Sequence, residues 1–185
     1  ISGKEYIFRE LPPDYPHIHG VNELEVRTIL LCEKHNFSLK KWDLESKNTK
    51  KLPKMSDFRS KNEIFSIIPD IFCIIRVDNT AIISFIEYDT GSENKGYSGE
   101  LPRLIDKLER YQLYKISGIW KNEQWAKKTN SPFPLIMFVT EDQKRADYIN
   151  KKGRSLGLYV EAFTMEAYVE KLKSLQKSNY LFKAT

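Results

Sequence analysis

Apolar residues fall into short, well-separated runs, and the spacing inside each run predicts an element. Leu24, Ile29, Leu31 and Cys32, with Val21 before them, recur at helical spacing, and Asn22 can cap the first turn, so a helix is predicted over Glu23–His35. Ahead of it, Pro12, Pro13 and Pro16 make Glu5–His19 an extended arm or loop. Phe37–Leu44 alternates Phe37, Leu39 and Lys41 against Ser38, Lys40 and Trp42, the period of a strand. Ser46–Arg59 is a polar, Lys-rich connection. Ile71–Val77 and Ala81–Tyr88 are the two strongest strands, apolar and β-branched, on either side of an Asp78–Asn79 turn signal. Thr90–Gly99 is a loop rich in Gly, Ser and charge. Pro102 suits the first turn of a helix, Leu104, Leu108, Tyr111 and Leu113–Ile116 continue its stripe, and Gly118 stops it. Trp120–Asn130 shows no period. Pro134–Thr140 reads as a buried strand, Asp142–Lys152 as a helix ended by Gly153, Leu158–Thr164 as a strand and Met165–Lys177 as a last helix. Helical crossovers between strands imply the α/β class, with a mixed central sheet flanked by helices on both faces.

Composition narrows the class of protein. A chain of 185 residues suits one domain, and one that starts at Ile1 rather than Met is expected to be a fragment of a longer protein. Ten Phe, ten Tyr and three Trp supply too much apolar area for a disordered chain. Two cysteines exclude a disulfide-dense scaffold and a Cys-rich zinc site; Cys32 and Cys73 lie in apolar runs and read as buried, reduced thiols. Uncharged apolar stretches such as Ala81–Ile86 are far short of the ~20 residues of a membrane span, and no secretory signal is visible, so a cytoplasmic protein without membrane contact is expected. The formal charge of +5 fits an anionic partner such as nucleic acid without identifying it.

That net figure hides an acidic cluster. Asp70 opens one strong strand and Glu87 closes the other, so a hairpin turning at Asp78–Asn79 brings them to one end of the sheet. Strand alternation sends Glu87 and Asp89 to the same face and Tyr88 to the opposite one. Converging carboxylates beside apolar strands are costly unless a cation sits among them, and a hard ion such as Mg²⁺ takes oxygen ligands of this kind. The plainer alternative is that acids at strand ends point into solvent. Helix, strand, strand with Pro69-Asp70, strand with Glu87-x-Asp89, then helix is similar to the order of the PD-(D/E)XK nuclease core. That signature has Lys two residues after Glu, where this chain has Asp89. Lys107 is the candidate substitute, sharing one helical face with Arg103 and Arg110; the alternative is a solvated basic face.

Four short segments in order then resemble the replication-relaxation family of plasmid and mobile-element proteins, which includes the MOBC-class mobilisation relaxases. They are His17-Ile18-His19-Gly20-Val21-Asn22, Pro69-Asp70, Glu87-Tyr88-Asp89-Thr90-Gly91-Ser92-Glu93 and Lys107-Leu108-Glu109-Arg110-Tyr111. The third departs slightly, with Ser92 where the family pattern has Thr. The resemblance spans about Pro16 to Tyr111 and continues weakly through the strand and the helix of Arg145. It implies a restriction-endonuclease-like αβββαβ core in a single domain over residues 1–185, lacking an upstream winged-helix part. It also implies nicking of DNA at a plasmid or mobile-element origin, Mg²⁺ or Mn²⁺ as cofactor, and other relaxosome or conjugation proteins as partners.

Carried over by position, Asp70 and Glu87 are metal ligands, and Asp89 is a third ligand or a group just behind them. Lys107 orients water or neutralises charge, Glu25 of the first helix completes the site or is a surface acid, and His17 contacts phosphate, donates a proton or is a surface residue. Tyr111 is a core residue, a DNA-stacking ring or a nucleophile. Arg103, Arg110, Lys40 and Lys41, followed by Lys47, Lys50, Lys51 and Lys54 with Trp42 among them, are candidate phosphate contacts or a solvated loop. Trp120 and Trp125, beside Lys121, Lys127 and Lys128, either stack on bases or pack. Two non-catalytic readings stand beside the nickase: a DNA-binding accessory protein on a decayed nuclease fold, for which Asp89 speaks, and a protein-interaction module that regulates replication.

Overall fold

A computed structural model describes residues 15–44, 51–52, 65–78, 80–91, 102–129, 133–175 and 182–183. Helix α1 (Tyr15–His35) starts eight residues earlier than its apolar stripe predicts. Pro16 is its second residue, where a missing N–H costs nothing, so proline begins this helix rather than excluding it. His17 and His19 therefore sit on a helix and not on an arm; Glu5–Asp14 lies outside the described residues. Asn36 takes a left-handed conformation (φ 56) after His35, and the Phe37 N–H donates to the Cys32 carbonyl at 2.8 Å, which closes the helix.

Strand β1 (Ser38–Leu44) follows, with a register shift between Leu39 and Lys41. A two-residue ribbon, β2 (Lys51–Leu52) against β3 (Phe65–Ser66), has no periodic signal in the sequence. The rest of the Lys-rich connection, with Lys47, Lys50 and Lys54, lies outside the described residues. β4 (Ile71–Val77) and β5 (Thr80–Asp89) form the expected hairpin, with Val77 opposite Thr80 and Asp78 at φ 52, the left-handed backbone that a two-residue turn demands. Helix α2 (Pro102–Ser117) leads through a 3-10 turn (Ile119–Asn122) to α3 (Gln124–Thr129), β6 (Leu135–Thr140), α4 (Gln143–Ser155), β7 (Val160–Thr164), α5 (Tyr168–Leu175) and β8 (Phe182–Lys183). Later boundaries also differ from expectation, β7 among them, which begins at Val160 rather than Leu158. Gly153 lies inside α4, where a Cβ would meet Val160 at 2.7 Å, and Gly157 (φ 66) is the residue that turns the chain. The stretch from Met165 to Ala167 is a turn, so α5 begins at Tyr168.

The strands lie in the order β1-β4-β5-β6-β7, with β8 pairing the start of β5. β1, β4 and β5 run antiparallel, while β5, β6 and β7 are parallel. This is a mixed sheet with helices on both faces. Even positions of β5 (Ile82, Ile86, Tyr88) join Val21, Leu24 and Leu31 of α1 and Tyr168 and Leu172 of α5. Odd positions (Ile83, Phe85) join Leu104, Leu108, Tyr111 and Tyr114 of α2 and Ala146 and Ile149 of α4. β5 is thus buried from both sides, and a charge on it must find a partner inside the protein. Trp120 packs among Trp125 and Phe133, the two indoles stacked 6.1 Å apart, so the packing alternative describes this pair. Among the described residues, no helix is long and apolar enough to cross a membrane.

Helix α1 packs tightly on the sheet at Gly20, where a Cβ would lie 2.0 Å from Cε1 of Tyr88. The Tyr88 ring is buried and its hydroxyl donates to Glu141 at 3.2 Å, so it has little room to yield. Gly20→Ala is expected to destabilise by about 1–3 kcal/mol through overpacking, although alanine is the better helix former by about 1 kcal/mol. Thermal unfolding checks this: an unchanged or higher Tm would show that the two layers do not meet so tightly.

Candidate functional site

Register builds the site. Ile71 faces Ile86 across β4 and β5, so Asp70 and Glu87 come next at the same end. The Asp70 N–H donates to Glu87 Oε2 at 3.3 Å, and the Tyr88 N–H donates to Asp70 Oδ2 at 2.8 Å. The two acids are therefore tied together through the backbone of the hairpin. Glu87 points to the α2 face and is only 1% exposed. Lys107 and Tyr111, one turn apart on α2, both reach it: Lys107 Nζ lies 2.5 Å from Oε2, and the Tyr111 hydroxyl donates to Oε1 at 2.5 Å. Lys107 also lies 3.9 Å from Asp70 Oδ1, and His17 Nε2 of α1 approaches the same oxygen at 3.5 Å. One ammonium thus stands between two carboxylates, with an imidazole on the outer side.

Burial and charge set the protonation of the group. Desolvation pushes Glu87 up to about 7; the Asp70 charge adds to this, while Lys107 and Tyr111 pull it back. Burial works on Asp70 in the same sense, but the His17 hydrogen bond, the Lys107 charge and the Tyr88 N–H prevail and hold it below the usual carboxylate value. The bond to Asp70 raises His17, so it charges more readily than a free imidazole. Tyr111 lies well above the ordinary phenol, first through burial and then through the charge of Glu87, and stays a donor.

Asp89 reaches the same face as Glu87, as alternation predicts, but its partner is Arg145 of α4. Arg145 Nη2 donates to Oδ1 at 2.8 Å and Nε bonds Oδ2, a two-pronged grip on a carboxylate 14% exposed. Both oxygens of the acid read as a third metal ligand or a group just behind the ligands are held by a guanidinium. Tyr111 has no exposed surface and its ring lies 5.7 Å from Phe85, so of its three readings the structure gives it the interior one. Glu25 sits half-buried two turns beyond His17 on α1, and among the described residues no hydrogen bond or ion pair joins it to this group. Arg103 and Arg110 share the exposed side of α2 with Lys107, Arg110 bonding Asp106 at 2.8 Å. Lys40 is exposed on β1, and Lys41 pairs with Asp43 at 2.8 Å and lies over the Phe72 ring, so neither is part of the group. Among the described residues no three His, Cys, Asp or Glu side chains gather as a metal cluster.

A sequence profile of the family described as replication-relaxation matches residues 5–127. The chain belongs to the replication-relaxation family. The matched span holds His17, Asp70, Glu87, Lys107 and Tyr111, while Arg145 lies beyond it. Membership suggests a role in plasmid replication or mobilisation. No curated protein and no solved structure matches the chain. Of the four segments seen in the sequence, the described residues His17, Asp70, Glu87, Lys107 and Tyr111 come together in space; Arg145 belongs to none of the four, and only the weak resemblance along its helix and the need of Asp89 for a cation point to it.

Proposed function

We propose that this chain is a divalent-metal-dependent DNA endonuclease or nickase, built on a PD-(D/E)XK-type core and acting at a plasmid or mobile-element origin. The supporting observation is the buried Glu87 carboxylate beside Asp70 with the Lys107 ammonium drawn between them. A carboxylate kept at such cost inside an apolar layer, against a cation, is what a phosphoryl-transfer site needs and a structural core does not. The donor chemistry fits a hard divalent ion: Mg²⁺ is commonly held by one or two carboxylates, with water and substrate phosphate completing the shell. Asp70 and Glu87 would hold Mg²⁺ or Mn²⁺, which when bound polarises a phosphate and activates water. Tyr111 fixes the orientation of Glu87. Lys107 offers positive charge where the phosphorane builds negative charge. His17, held by Asp70 at the rim, can deliver a proton to a leaving oxygen. Asp89, gripped by Arg145, fixes the end of β5.

Incubating supercoiled plasmid with the protein and Mg²⁺ or Mn²⁺ tests this. Open circles are expected from the natural chain, with at least about 100-fold slower nicking by Glu87→Ala and by Lys107→Ala. Equal nicking by all three proteins, or none by any, would sink the reading.

A second reading has one observation behind it. The Lys107 ammonium already lies against Glu87 and within 3.9 Å of Asp70, as in a site that has given up its metal. An accessory DNA-binding protein would then shift plasmid mobility equally with EDTA and with Mg²⁺, and would never nick.

A further inference from the structure

Beside Glu87 opens a cleft of about 390 Å³ whose walls differ in kind. One wall is apolar, formed by Ile67 and Ile68 from the segment between β3 and β4. The other is the basic side of α2, with Arg103, Lys107 and Arg110. Ile68 is 45% exposed, an isoleucine kept in water next to three cations and one step from Pro69-Asp70. Asp106 also lines the cleft but is engaged by Arg110, in an exposed pair of the kind that costs little to rearrange. The volume is at the low end for small-molecule pockets and cannot admit a duplex.

We propose that this cleft binds one unpaired nucleotide next to the scissile phosphate. Its base lies on Ile67 and Ile68, and its phosphates face Arg103 and Arg110. A ligand with a flat apolar body and fixed negative charge matches the two walls, and a nucleotide freed from its stack has that character. A backbone phosphate alone would use the arginines and leave the isoleucines wet. The proposal rests on the nuclease reading and names its substrate: single-stranded or locally unpaired DNA. Specificity of this sort selects DNA already melted, since taking a base out of a duplex costs a few kcal/mol.

The probes are a dye-labelled ten-residue oligothymidylate and an oligomer of equal length and charge made of abasic tetrahydrofuran residues. Binding is read by fluorescence anisotropy in EDTA, so it is independent of metal and of cleavage. The natural chain is expected to bind the thymidylate about tenfold more tightly than the abasic strand. Ile68→Ser, at an exposed position that does not threaten folding, should bring the two affinities together while leaving the abasic one unchanged. Arg110→Ala should weaken both strands and flatten their salt dependence. Equal affinity for the two strands in the natural chain, or a preference untouched by Ile68→Ser, would overturn the proposal. Base-dependent binding without nicking would keep the pocket and refute the nuclease; nicking without base dependence would do the reverse.

Discussion

Glu87→Gln is expected to melt at a higher temperature than the natural chain at pH 8, and to have lost plasmid nicking. The reason lies in where the carboxylate sits. Glu87 is buried on β5 between Phe85 and the α2 layer, and burial raises it from the 4.5 of an ordinary glutamate to about 7. Between those values the folded protein binds a proton that the unfolded chain has released. A group raised by folding contributes stability that is full below the unfolded value and lost as pH climbs through the folded one. Stability of the metal-free protein should therefore fall from about pH 5 to pH 8, by about 3 kcal/mol from this group alone. Glutamine removes the titration. Its carbonyl can accept from Lys107 and the Asp70 N–H, as Oε2 does now, and its amide can face the Tyr111 hydroxyl.

Urea unfolding in EDTA at pH 5 and pH 8 measures this directly. The difference between glutamine variant and natural chain should grow with pH, in favour of the variant. If the two curves stay parallel, the carboxylate is not paying a burial penalty and the case for Glu87 as a strained functional acid fails. Leu104, Leu108 and Tyr114 of the same layer, each worth roughly 2 kcal/mol on burial, are what let the fold tolerate this acid.

Asp70 and Glu87 could be paired on paper because a two-residue turn fixes hairpin register and the period of two fixes the face. Lys107 and Tyr111 could be placed together because helical spacing puts positions four apart on one side. Those are local rules, and the elements that obey them were legible. Pro16 misleads because a proline reads as a breaker, yet in the first turn it has no hydrogen bond to lose. Gly153 misleads because a glycine can end a helix or let a strand come near, and only the position of Val160 tells which. The partner of Asp89 was hidden for another reason. Arg145 stands 56 residues away on α4, and nothing local joins the two. The charge argument asks for a cation near the acids and is satisfied too early by Lys107. In fact the acids divide, with Lys107 serving Asp70 and Glu87 while Arg145 serves Asp89.

That division makes Arg145→Ala the other substitution with a large expected effect. Arg145 and Asp89 are 12% and 14% exposed, so both charges are nearly dry. Removing one partner strands the other, at a cost of about 3 kcal/mol. Asp89 is also the end of β5, and its Oδ1 accepts the Gly91 N–H at 3.2 Å, so its release loosens the turn that leaves the sheet beside Glu87. Arg145→Lys should recover little, because an ammonium cannot reproduce two parallel N–H bonds. Removing both charges in Arg145→Ala with Asp89→Asn should cost less than the sum of the single changes, with a coupling of about 1–3 kcal/mol in a double-mutant cycle of urea unfolding. Additive single and double values would show that the pair is a bystander and return Asp89 to the choice between metal ligand and solvated acid. With coupling, Asp89 belongs to the frame: it bolts α4 to β5, and the cation beside Asp70 and Glu87 comes from Lys107 on α2.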